Sequence, residues 1–145
     1  MLGVLEMKKI IVGYDGSEFA DKAMDKAIEF AKKEDMEVIV VYAIDNFCPV
    51  GVTELDCNIV REIQMKEAKN IIDRALKKIK DAGVRGRDVT KVGRPADVII
   101  ESADKENAEM IVVASHGKHG IKKVVLGSVT ARVVEYSPIP VLVIK

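Results

Sequence analysis

The run Lys8-Lys9-Ile10-Ile11-Val12-Gly13-Tyr14-Asp15-Gly16-Ser17-Glu18 decides the fold. Ile10, Ile11 and Val12 are consecutive β-branched residues closed by a glycine, the pattern of a short strand buried on both faces. Asp15-Gly16-Ser17 supplies turn chemistry, and Ser17 is placed to cap a helix whose first turn holds Glu18 and Asp21, where the helix dipole favours acids. Ala20, Ala23, Ala27 and Ala31 then recur at steps of 3, 4 and 4, widened by Phe19, Met24, Ile28 and Phe30 into the stripe of an amphipathic helix. A doubly buried strand running straight into such a helix is the opening of a parallel β-α-β unit.

The same punctuation repeats downstream. Glu37 to Ala43 contains Val38-Ile39-Val40-Val41, a second buried strand, and Asp45 to Asp56, with Pro49 and Gly51, reads as a loop. From about Asn58 to Ala82, the residues Ala68, Ile71, Ile72, Ala75, Leu76 and Ile79 keep helical spacing, and Gly83 suits the helix end. Asp88 to Val92 reads as a third strand. Pro95 fits the first turn of a third helix through Val98, Ile99 and Ala103, and Met110 to Ala114 reads as a fourth strand. A short helix from Ser128 to about Tyr136 is stopped by Ser137-Pro138-Ile139-Pro140, and Val141 to Ile144 closes the chain as a fifth strand. Strict alternation of this kind predicts an α/β fold: a doubly wound, five-stranded parallel sheet with helices on both faces, one domain over residues 1–145.

Composition narrows the function. Of 145 residues, 23 are Lys or Arg and 23 are Asp or Glu, so the formal net charge is zero. That balance argues against a general nucleic-acid or membrane-surface binder, which carries a basic excess, and the few aromatics, with no Trp, offer little for base stacking. The longest apolar run, Val38 to Ile44, is seven residues where a membrane span needs about 20. The N-terminal residues lack a secretory pattern, so a cytoplasmic protein is expected. Cys48 and Cys57 lie nine positions apart without CxxC or metal-ligand spacing; a disulfide or redox pair is one reading, and two unpaired thiols are the expectation in that compartment.

Ligands of an open parallel sheet bind beyond the carboxyl ends of its strands. Two post-strand segments carry chemistry: Gly13 to Ser17, and Ala114-Ser115-His116-Gly117-Lys118-His119-Gly120 continuing to Gly127-Ser128-Val129-Thr130. From Met110 to Val134 there is no Asp or Glu, yet Lys118, Lys122, Lys123, Arg132 and both histidines fall there. This locally positive, glycine-rich stretch leads into a helix start, where unpaired amides and the positive end of the dipole suit phosphate oxygens. Gly117 and Gly127 let the backbone approach such oxygens, and Ser128 and Thr130 can add hydroxyl donors. A capping serine, a tight turn and a solvated lysine face would produce the same residues without a ligand. Neither GxxxxGK[ST] nor GxGxxG is present.

Taken together, these motifs resemble the universal stress protein family nearly end to end. The family's nucleotide motif, G-x-x-G, nine residues, then G-[S/T], is matched by Ala114-Ser115-His116-Gly117, the nine residues Lys118 to Leu126, and Gly127-Ser128. Asp15-Gly16-Ser17, the Gly93-Arg94-Pro95-Ala96 turn and the closing Pro140 to Ile144 are similar to the family as well. The resemblance implies strand order 3-2-1-4-5, a homodimer, and ATP binding. Asp15 and the backbone near Ala43 would lie at the adenine and ribose end. His116, Gly117, Gly127, Ser128, Val129 and Thr130 would hold the phosphates, with Mg2+ kept by phosphate oxygens and water. Ala114 stands where the first glycine is expected; its methyl is tolerated at negative φ and strained at positive φ.

The leading expectation is an ATP-binding regulatory protein of the stress response, acting as a homodimer through Val141 to Ile144 on a downstream protein that the sequence does not identify. That strand would otherwise leave an apolar edge open. A weak ATPase or phosphotransferase is the alternative within enzymes, disfavoured because the phosphate segment holds no carboxylate. A dimeric scaffold or chaperone-like protein that binds no nucleotide is the third reading, favoured by Ala114.

Overall fold

A computed structural model describes residues 6–45, 48, 51–117 and 125–145. Its elements run β1 (Lys9–Gly13), α1 (Glu18–Glu34), β2 (Glu37–Ile44), α2 (Glu54–Asp81), β3 (Gly86–Val92), α3 (Pro95–Lys105), β4 (Met110–Ala114), α4 (Ser128–Tyr136) and β5 (Val141–Ile144). The strands form one five-stranded parallel sheet in the order β3-β2-β1-β4-β5, as expected.

Alternation along β1 divides the core. Ile10 and Val12 pack with Ala23, Met24 and Ala27 of α1 on one face, whereas Ile11 joins Val98 and Ile99 of α3 and Val133 of α4 on the other. Ile10, Ile11, Ile39 and Ile111 are fully buried; truncating any one of them to alanine costs about 2–5 kcal/mol. The alanines of α1 let the helix lie close on the sheet. Ser17 caps it by accepting from the Ala20 amide at 3.1 Å. Asp35, at φ 53, ends it in the left-handed region.

Two expectations fail. The connection after β2 is shorter than the loop over Asp45 to Asp56, because Thr53 caps α2 by accepting from the Asp56 amide at 3.2 Å. At 28 residues this helix is about 42 Å long at the usual rise. Leu55, Ile59 and Ile63 are exposed, so no core contact imprints a periodic burial pattern on these first turns, and capping alone marks their start. Nor are the thiols unpaired: Cys48 and Cys57 form a disulfide, their Cα atoms 5.8 Å apart, a separation ordinary for such a bond. Capping at Thr53 brings Cys57 back toward Cys48, a juxtaposition that sequence spacing does not encode.

The two sheet edges differ. β3 carries Arg87, Asp88 and Lys91 and exposes alternate residues, while β5 is Val-Leu-Val-Ile and all four are half-buried. Charges blunt an edge against further pairing; an uncharged apolar strand does not.

Candidate functional site

The carboxyl ends of β1, β2 and β4 surround a cavity of about 580 Å3, closed on one side by the start of α4. Asp15, Ala43, Ala114, His116, Gly117, Gly127, Ser128, Val129 and Thr130 all line it. The sheet order explains the convergence: β1 and β4 are neighbours whose following helices, α1 and α4, pack on opposite faces, so a crevice opens between their connections.

Each residue has a local reason for its place. Gly16, at φ +81, turns the chain after β1, a conformation that favours glycine. Asp15 accepts from the Ser17 amide at 2.9 Å, which fixes its carboxylate over the turn. A Cβ on Gly117 would stand 2.8 Å from Asp15 Oδ2, so glycine is what lets the two post-strand segments meet. A Cβ on Gly127 would lie 3.3 Å from the Ser115 carbonyl oxygen and 3.6 Å from His116 Cα, with backbone closing the space.

The start of α4 brings uncapped amides to the cavity. Gly127 is the N-cap, no side chain caps the helix, and its own amide donates to Ser115 O at 2.8 Å. Gly127 therefore contributes shape, not a donor. Ala131 N bonds to Gly127 O, whereas the amides of Ser128, Val129 and Thr130 find no acceptor among the described residues. These residues line the cavity, and helix-start amides left over in this way suit anionic oxygen.

Several expected roles change in detail. Thr130 is buried and its hydroxyl donates to Ala114 O at 2.5 Å, so its proton is committed within the protein. Only Ser128 is left to add a hydroxyl donor. Both ring nitrogens of His116 are engaged, Nδ1 with Ser115 Oγ at 2.9 Å and Nε2 with Val125 O at 3.0 Å. Arg132 is turned away to Asp97 at 3.3 Å and lies over the Tyr136 ring. Lys118, His119, Lys122 and Lys123 lie outside the described residues. Ala114 is in extended register with Ile144 and is not a positive-φ residue, so its methyl is accommodated without strain.

Tyr14, inside the expected Gly13 to Ser17 segment, lines the cavity, and so do Tyr42, Asp45, Pro95 and Ile99, which were not among the expected site residues. Tyr42 and Asp45 belong to the end of β2, and the strand-end rule already pointed there. Burial, the hydrogen bond to Asp21 and that carboxylate's charge push the Tyr14 phenol up. Burial and the charges of Asp15 and Glu67 push Tyr42 up. Both phenols are therefore neutral donors at ordinary pH. Among the described residues no group of three or more His, Cys, Asp or Glu could hold a metal ion, and no helix is long and apolar enough to cross a membrane.

Comparison with known proteins places this architecture. A universal stress protein of Methanocaldococcus jannaschii is 34% identical over 139 residues, covering 95% of this chain and 82% of that protein. A second protein of that organism is 33% identical in its solved structure, with a TM-score of 0.82 and 95% of each chain covered. A universal stress protein of Archaeoglobus fulgidus solved in complex with dAMP has a TM-score of 0.70 at 25% identity, covering 98% of this chain and 100% of that one. Another, solved in complex with cAMP, has a TM-score of 0.74 at 27% identity, with 95% and 97% covered. The profile of the Universal stress protein family matches residues 6–145. With nearly the whole length matched and the sheet order shared, the chain belongs to the universal stress protein family.

Proposed function

We propose that the protein binds an adenine nucleotide, ATP in the first place, in the cavity at the strand ends and acts as a homodimeric regulator whose partner contacts depend on occupancy. The amides of Ser128, Val129 and Thr130, which have no acceptor among the described residues and belong to residues that line the cavity, carry this reading. They would take phosphate oxygens, with Gly117 and Gly127 letting the surrounding segments close up beside them. Asp15 and the Ala43 backbone would lie at the ribose and base end. Magnesium would be held chiefly by phosphate oxygens and water, the usual arrangement for this ion on a triphosphate. The relatives solved with cAMP and dAMP support the adenine nucleotide class.

Isothermal titration with ATP, ADP and AMP tests the reading. Saturable binding is expected, and Gly127→Val, whose side chain meets Ser115 and His116 backbone, should weaken it by roughly tenfold or more, equivalent to about 1.4 kcal/mol. No heat at millimolar nucleotide would overturn the proposal in favour of a nucleotide-free scaffold.

A second reading is slow ATP hydrolysis. It would place Asp15, whose carboxylate stands beside Gly117, at the phosphate end instead of the ribose end, where it could orient a water. Phosphate release above the rate of an Asp15→Asn variant would support it, and equal rates would remove it.

A further inference from the structure

We infer that His116 is a positioning residue: it clasps the neck of the phosphate segment and aims the α4 amides, and does not itself hold phosphate. This deepens the nucleotide reading and rests on it.

Val125 O can only accept, so the ring nitrogen 3.0 Å from it, His116 Nε2, must carry a proton. With Nε2 protonated, the neutral ring presents Nδ1 as an acceptor to the Ser115 hydroxyl, 2.9 Å away. Neither nitrogen is left to face a ligand.

Those bonds span a neck. Ser115 N donates to Ile144 O at 2.8 Å, which anchors the end of β4 to β5, and Ser115 O accepts from Gly127 N at 2.8 Å. His116 adds a second rung one residue on, to Val125. Together the rungs fix residues 115–116 against residues 125–127, immediately before the amides of Ser128, Val129 and Thr130. The Phe19 ring, 5.8 Å from the imidazole centroid, packs against it at a tilt. Without the Val125 rung the start of α4 would be held by the Gly127 N–Ser115 O and Thr130 Oγ1–Ala114 O bonds alone, with more freedom to misdirect its donors, and a misplaced donor loses much of its value.

Glutamine and asparagine separate this role from direct ligation. The amide nitrogen of Gln can reach the position of imidazole Nε2 and donate to Val125 O, whereas the shorter Asn cannot, and Phe fills the space without donors. ATP affinity should therefore stay within about threefold of the parent in His116→Gln and weaken roughly tenfold in His116→Asn and His116→Phe, the size of one lost positioning bond. Nitrogen-15 NMR of the imidazole should show the Nε2–H tautomer both without and with ATP. Equal weakening in Gln and Phe, or an Nε2 resonance that moves on adding ATP as if the proton were redirected, would overturn the clasp. If the parent binds no nucleotide, the functional proposal falls and the clasp is read separately, from amide exchange at Gly127 in the free protein. Faster exchange in His116→Phe than in His116→Gln supports it, and equal exchange sinks it.

Discussion

Thr130 Oγ1 donates to the carbonyl oxygen of Ala114 at 2.5 Å, and both residues are buried. One side chain thus ties the first turn of α4 to the last residue of β4, both of which line the cavity at the strand ends. The hydroxyl that sequence reading offers to phosphate is spent on holding the helix start in place.

Replacing Thr130 with valine keeps the shape and removes the donor, leaving the Ala114 carbonyl without this partner in a buried setting. The expected loss is about 1–3 kcal/mol of stability. Urea unfolding would show it as a lower midpoint at unchanged slope, with Thr130→Ser falling between parent and valine. A valine variant with the parent's midpoint would show that the bond contributes nothing.

A charge cluster at the opposite end of the sheet gives a pH-dependent outcome. Arg87 bonds Glu37 at 3.1 Å and pairs with Glu106, which also meets Lys9 at 3.7 Å. The hydrogen bond from Arg87 holds the Glu106 carboxyl below its ordinary range, with the positive charges of Arg87 and Lys9 adding to it and burial opposing. The folded state therefore binds this proton less readily than the unfolded chain does. The stabilisation is complete above the ordinary glutamate range and disappears as pH falls through the lowered folded value. Arg87→Gln should be less stable than the parent at neutral pH, with the gap closing in acid. Because Arg87 is 41% exposed on its side chain, added salt should also narrow the gap. Denaturation midpoints at several pH values decide this; a gap independent of pH would refute it.

The legibility of this chain follows where burial leaves a mark. β1, β2 and β4 are covered on both faces, so each appears as an unbroken apolar run, and the expected β4 and β5 coincide with the observed strands. α1 announces itself through alanine spacing and Ser17. The start of α2 is hidden because Leu55, Ile59 and Ile63 meet no core, although Thr53 with Glu54 and Asp56 is a readable cap. At the site, the post-strand glycines and the α4 start could be named in advance because backbone geometry demands them. The tasks of Thr130 and His116 could not, since their acceptors, Ala114 O and Val125 O, are distant or irregular backbone groups. Tyr42 and Asp45 flank Ala43 at the end of β2, where no glycine, cap or charge cluster singles them out.

The Cys48–Cys57 bond ties the β2–α2 connection to the exposed beginning of α2. In the chain-entropy picture, closing so short a loop contributes about 2–3 kcal/mol, here confined to a helix end that little else supports. Thiol titration of the protein purified without reductant should find neither cysteine reactive. Cys48→Ser with Cys57→Ser should speed amide exchange over the first turns of α2 and leave the sheet protected. Reactive thiols in the untreated protein would contradict the pairing.

β5 makes the remaining case, and the parity of its backbone allows a clean test. Ile111 N bonds to Pro140 O and Ser115 N bonds to Ile144 O, so the carbonyls of residues 140 and 144 point to β4. Polar groups alternate sides along a strand, which leaves the amides of Val141 and Val143 facing the open edge. That edge carries no charge among Val141, Leu142, Val143 and Ile144, unlike β3 with Arg87, Asp88 and Lys91. Pairing with a second copy about a two-fold axis would satisfy those groups and cover the apolar side chains. Val143→Pro removes one outward amide while keeping the ladder to β4, so it should shift the protein from dimer to monomer in light scattering behind a sizing column, with circular dichroism unchanged. The same substitution at Leu142 strikes the inward ladder instead and should lower stability. A Val143→Pro protein that remains dimeric would move the contact away from β5.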